Sequence, residues 1–104
     1  MRKLIVTLML ATMATGVAAE TYTVGQQDKS FTEEQLTIKT GDNVEFENND
    51  PFFHNVFSLS DTKFFDLGSY PKGESRTVEF TEPGIVEVEC AIHPQMKMTI
   101  EVEE

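Results

Sequence analysis

The sequence predicts an all-β fold, a sandwich of short strands. Three observations carry that prediction: apolar and polar residues alternate in short runs, turn residues break the runs at intervals of about ten, and helical periodicity is almost absent. The first nineteen residues stand apart. Basic Arg2 and Lys3, an apolar run from Leu4 to about Met13 and small residues ending in Val17-Ala18-Ala19 have the order of a secretory signal peptide cut after Ala19. The apolar run is shorter than the roughly 20 residues that span a bilayer, and no second hydrophobic run follows it. The expectation is an exported, periplasmic domain of residues 20–104, without stable membrane insertion.

The elements follow in order. Thr21–Val24 is a first strand, and Leu36–Lys39 alternates Leu36 and Ile38 with Thr37 and Lys39. The turn Thr40-Gly41-Asp42 feeds Val44–Asn48, with Val44 and Phe46 on one face and Glu45 and Glu47 on the other. Asn48-Asn49-Asp50-Pro51 is a concentrated turn signal ahead of a strand over His54–Leu59. Ser60–Ser75 lacks clean alternation and holds Gly68, Pro71 and Gly73, so it reads as an irregular connection packed down by Phe64, Phe65, Leu67 and Tyr70. A short helix over Phe31–Gln35 or Asp61–Phe65 is compatible with the composition. Arg76–Phe80 alternates, Glu82-Pro83-Gly84 turns, and Ile85–Cys90 puts Val86, Val88 and Cys90 on one face, opposite Glu87 and Glu89. The last strand runs from Met96 to about Val102, with Met96, Met98, Ile100 and Val102 sharing parity.

Charge narrows the partners. Without Arg2 and Lys3 the domain keeps six basic residues against eighteen acidic ones, a net charge of −12. Nucleic acid is excluded, because binding to phosphate backbones draws on clustered Lys and Arg. The glutamates at 45, 47, 87, 89 and 101 alternate with apolar residues and read first as solvated strand faces, with a docking patch as the second reading.

The residues that could do chemistry are few. Behind the leader there are one cysteine, Cys90, two histidines, His54 and His93, and two methionines, Met96 and Met98. All but His54 fall within the nine residues Cys90–Met98, between two strands. A small exported domain usually adds disulfides or a metal to its modest core, and a single cysteine cannot form an internal disulfide. Taken singly, His54 is an ordinary structural histidine and Cys90 a small buried hydrophobe. Together, two imidazoles, a thiolate and a thioether suit copper passing between Cu(I) and Cu(II), because soft sulfur favours the reduced ion and imidazole serves both states.

In this order, GDNVEFENND from Gly41, His54-Asn55-Val56 and EPGIVEVECAIHPQM from Glu82 to Met96 resemble the cupredoxins, small blue copper proteins of the plastocyanin, amicyanin and pseudoazurin type. The resemblance covers roughly Leu36 to Val102. It implies a cupredoxin-like Greek-key β-sandwich holding one type 1 copper ion, with His54, Cys90 and His93 as ligands and a methionine as the long axial ligand. The short amicyanin-like loop, Cys-x-x-His-x-x-Met with Pro94 directly after His93, selects Met96; the longer plastocyanin-like spacing would select Met98. It also implies that Asn55 ties the ligand segments together, its N–H directed at the Cys90 sulfur, while Pro94 has no N–H to offer the thiolate. Glu87 and Glu89 before Cys90 and the bulky Phe52-Phe53 pair before His54 depart from the family pattern and bear on which partner docks. The function implied is a monomeric, non-enzymatic carrier of single electrons, paired with a redox protein such as a cytochrome or oxidoreductase, a basic one being compatible with the acidic surface. Ala91, Ile92, Pro94, Phe52 and Phe53 would form the apolar rim around His93. A copper-binding or copper-delivery protein without a redox partner is the alternative; a metal-free interaction sandwich is a third reading.

Overall fold

The computed structural model describes residues 18–104. The expected leader lies outside the described residues, apart from Ala18 and Ala19, which lead irregularly into the first strand. Nine strands follow in chain order: β1 (Thr21–Gln27), β2 (Ser30–Phe31), β3 (Gln35–Lys39), β4 (Asn43–Asn48), β5 (His54–Ser58), β6 (Phe65–Tyr70), β7 (Ser75–Glu79), β8 (Gly84–Cys90) and β9 (Lys97–Glu103). They form a four-stranded sheet in the order β2-β1-β4-β7 and a five-stranded sheet in the order β3-β9-β8-β5-β6. β1 pairs with β4 and β3 with β9 in parallel, and the other pairings are antiparallel.

Inward residues of both sheets fill the space between them. Val24, Val44, Phe46 and Phe80 face Ile38, Val56, Val86, Val88 and Ile100, all essentially buried. Their partners in alternation point out, as the period of two dictates.

Two expectations are corrected. Neither Phe31–Gln35 nor Asp61–Phe65 is helical: Phe31 ends β2 and Phe65 begins β6, with turns and bends before or after them. The second half of the presumed irregular connection is strand β6. Its alternation is disguised because the β5–β6 register slips between Asn55 and Phe57, which pair with Ser69 and Asp66. Two residues, Leu67 and Gly68, thus oppose Val56 alone, and Gly68 takes φ 73°, a conformation open to glycine. The inward parity switches at that bulge, so Phe65 and Tyr70 are both buried although they differ in parity.

Tyr70 anchors this edge. Its hydroxyl donates to the Phe46 carbonyl (2.9 Å) and accepts from Gln26 Nε2 (3.0 Å), stitching β6 to the facing sheet. Burial pushes its pKa up to about 12, so it remains a phenol. The Arg76 guanidinium lies 4.7 Å from the ring centroid, covering it at the open side between β6 and β7. Tyr70→Phe leaves a buried amide and a carbonyl short of a partner. It is expected to cost about 1–3 kcal/mol, read as a lower urea midpoint with an unchanged m-value.

Candidate metal centre

The centre is built at the end of the sandwich where β5 begins and β8 ends. His54 is the first residue of β5 and Cys90 the last of β8. The antiparallel register Val56↔Cys90 brings them side by side. His93 stands in the short loop between β8 and β9, where a Met96 N–H···O=C His93 bond (2.9 Å) closes a turn that Pro94 enters. Cys90 Sγ lies 3.6 Å from His54 Nδ1 and 3.8 Å from His93 Nδ1, and the three donor atoms all lie within 4.8 Å of one another. Atoms bound about 2.0–2.3 Å from one ion in tetrahedral geometry stand about 3.3–3.8 Å apart, so this spacing fits a single metal ion. Two imidazole nitrogens and a thiolate sulfur suit copper.

His54, Cys90 and Met96 are buried, and His93 is half-buried. Burial lowers the His93 pKa, helped by His54 and by the positive charge of Lys29, so its ring favours the neutral form that can ligate. Met96 and Met98 are distinguished by position. Met98 sits within β9 opposite Val88, an ordinary core place, whereas Met96 ends the turn that begins at His93.

Backbone contacts hold the thiol. The Asn55 N–H points at Cys90 Sγ (3.4 Å), and the Ala91 N–H donates to the Asn55 carbonyl (2.9 Å), so the two ligand-bearing segments are tied as the resemblance implied. The Asn55 side chain donates to Asp66 Oδ1 (2.9 Å), which also accepts the Gly68 N–H (2.9 Å); these bonds hold the Asp66 carboxyl below the usual range. Asp66 therefore steadies the neighbour of a candidate ligand, a role the sequence did not suggest.

The larger omission is Asp50. The turn signal at Asn48–Pro51 hid a carboxylate only 3% exposed, whose Oδ2 lies 2.7 Å from His54 Nε2. It also accepts the N–H groups of Asp28 (2.7 Å) and Lys29 (3.0 Å). Burial pushes the Asp50 carboxyl up, but the His54 ring N–H and the two amides outweigh it and keep it below the ordinary carboxylate range. With Nε2–H given to Asp50, His54 turns the bare lone pair of Nδ1 toward Cys90, the tautomer a metal requires. The one available signal was an acid four residues before a candidate histidine.

The aromatic surroundings also differ from expectation. Phe53 and Ile92 are exposed (52% and 48%) and flank the histidines in sequence, as a rim should. Phe52 instead leans on both imidazoles, with ring centroids 5.4 Å from His54 and 5.3 Å from His93. It belongs to the wall of the centre. Lys29 Nζ stands 5.7 Å from the Phe52 centroid, on the tip of the β1–β2 turn.

A model of the copper-binding proteins of the plastocyanin/azurin family matches residues 18–103. The chain belongs to this family. Among solved structures, a reduced tyrosine-for-tryptophan variant of amicyanin is 26% identical, with a TM-score of 0.75 over 84% of this chain and 86% of that one. The copper-containing nitrite reductase of Thermus scotoductus SA-01 is 30% identical, with a TM-score of 0.77 over 91% of this chain but 25% of that one. This cupredoxin thus spans about a quarter of the reductase chain. Among curated proteins no sequence matches significantly.

Asp50→Ala removes the His54 partner and is expected to weaken copper binding about 10- to 100-fold, measured by competition with a chelator of known affinity.

Proposed function

We propose that this cupredoxin is an exported, periplasmic, monomeric carrier of single electrons, working through one type 1 copper ion held by His54, Cys90 and His93, with Met96 as the long axial ligand. The observation that carries the reading is the convergence of two imidazole nitrogens and one sulfur within 4.8 Å of one another at the ends of paired strands. The copper ion supplies the reversible one-electron couple. The chain's residues do the rest. Asp50 and the strand frame hold His54 and Cys90 in one geometry for both oxidation states, which keeps the rearrangement on electron transfer small. Asn55 N–H gives the Cys90 sulfur a hydrogen bond, Pro94 gives it none, and Phe52 excludes water from the imidazoles.

Half-buried His93 offers the way out for the electron, and Ile92 and Phe53, neighbours of the two histidines in sequence, are exposed. Such a small apolar rim suits a redox partner held briefly, since transient redox encounters use small interfaces. The partner is a redox protein, a cytochrome or an oxidoreductase.

The test is titration of the domain Glu20–Glu104 with Cu(II), followed by visible absorption and electron paramagnetic resonance. One equivalent is expected to give an intense blue colour and a narrow copper hyperfine splitting, both lost in Cys90→Ala, with reversible reduction by ascorbate. Colourless binding of Cu(I) alone would replace this reading with copper delivery.

Ile92→Lys, on the exposed rim, is expected to keep the blue spectrum and slow electron exchange with a redox protein several-fold. An altered spectrum would move Ile92 from the rim into the centre.

A further inference from the structure

A second buried carboxylate lies at the end of β4 remote from the metal centre. Asp42 is 4% exposed, and both of its oxygens are occupied: Oδ1 accepts the Glu20 N–H (2.9 Å) and Oδ2 the Lys39 N–H (2.9 Å). Those amides hold its carboxyl below the usual range against the effect of burial, so it is charged at neutral pH. Yet among the described residues no cation pairs with it. The ammonium of Lys39 turns instead to Glu103 (3.4 Å). A buried carboxylate is commonly matched by a positive group, and here main-chain amides are its hydrogen-bond partners while the Lys39 charge acts on it only through space.

One of those amides is the nitrogen that follows Ala19, the last small residue of the leader pattern. Its position is set independently of Asp42, because the Asn43 N–H donates to the Glu20 carbonyl (2.8 Å) and Thr21 pairs with Asn43 in the β1–β4 ladder. We propose that Asp42 is the receptor for the chain's own N-terminal ammonium, formed when a peptidase cuts between Ala19 and Glu20. Water supplies the atoms: its hydroxyl goes to the Ala19 carbonyl carbon, which leaves as a carboxylate with the leader, and its proton goes to the Glu20 nitrogen. At neutral pH that amine takes up one further proton. The donor atom stays where the strand pairing puts it, and a neutral N–H facing the carboxylate becomes a positive one. Removal of the leader thereby completes an ion pair and tightens the start of β1.

The charged and titratable groups around this ammonium are the Glu20 carboxylate, the Tyr22 hydroxyl, Asp42, Glu104 and Lys39, the last paired with Glu103. The acids among them and the pairing with Asp42 favour the protonated amine, so its folded pKa lies above the ordinary 7.7–8.0 or so. A group raised on folding contributes fully below its unfolded pKa and loses that contribution as pH rises through the folded value.

The inference rests on the leader being removed after Ala19 and is independent of the copper reading, so the two fail separately. Two forms are compared under identical metal conditions, with and without added Cu(II), one beginning at Glu20 and one carrying Ala18-Ala19 ahead of it. At pH 7 the form beginning at Glu20 is expected to melt several degrees higher, on the order of 4–8 °C for a domain of this size. The gap should close at pH 10.5 and in Asp42→Asn. Equal melting at pH 7, or a gap that survives at pH 10.5, would overturn the proposal. Nuclear magnetic resonance titration of the Glu20 α-amine covers the case in which Asp42→Asn does not fold: a pKa above 8 supports the ion pair, and an ordinary value refutes it. The mass of the exported protein gives the last check, because a chain starting anywhere but Glu20 has no ammonium at this place.

Discussion

The carboxylate of Asp50 receives hydrogen bonds from three directions, the His54 ring and the amides of Asp28 and Lys29, and so joins a ligand strand to the tip of the β1–β2 hairpin. Much of the geometry at this end depends on it. The hairpin turn is unusual, since both central residues, Asp28 and Lys29, have positive φ (56° and 59°) without being glycine. Such a turn matches the twist of the strands it joins but is strained for residues with a Cβ, and two charge-assisted bonds to a buried carboxylate offset that strain. In return the turn covers Asp50 from solvent and carries Lys29 over Phe52, whose ring touches both histidines. Asn48 braces the same loop from behind, giving its side-chain N–H groups to the Phe52 and Tyr70 carbonyls and accepting the Asp50 N–H.

The four residues around the centre are held with unequal stiffness. His54 and Cys90 are strand residues, buried and cross-linked through Asn55, so their separation is a property of the sheet. His93 and Met96 belong to a six-residue loop segment, Ala91–Met96, tied across itself by one main-chain bond. The rigid pair defines where a metal sits. The loop lies beside it and leaves the His93 edge half-buried.

What could be read from the sequence and what could not divide along physical lines. β4, β8 and β9 are half-buried strands with unbroken alternation, so Val44–Asn48, Ile85–Cys90 and the parity of Met98, Ile100 and Val102 were legible. Cys90, His93 and Met96 stood out as candidates because three metal-binding residue types fall within seven residues, whereas His54 lies on a distant strand. β6 was not, because the extra residue at Leu67–Gly68 inverts the parity on which the reading depends. The β1–β2 hairpin was missed because its turn lacks the glycine or asparagine that usually announces one. Asp50 and Phe52 were hidden for a different reason: a carboxylate in a turn sequence is normally solvated and a phenylalanine beside a histidine carries no chemistry of its own. Only the folded loop shows that both face the imidazoles.

The bulge in β6 has a consequence for how the molecule meets its own copies. β6 is the outer strand of the five-stranded sheet and carries unpaired main-chain N–H and C=O groups along its free side. A regular edge of that kind is a template on which a strand from another molecule can add. Here Gly68 throws the row of free donors and acceptors out of step halfway along, so an incoming strand that aligns with Phe65 and Asp66 loses its register before Tyr70. The same irregularity that breaks the sequence pattern guards the sheet against growing sideways into an aggregate.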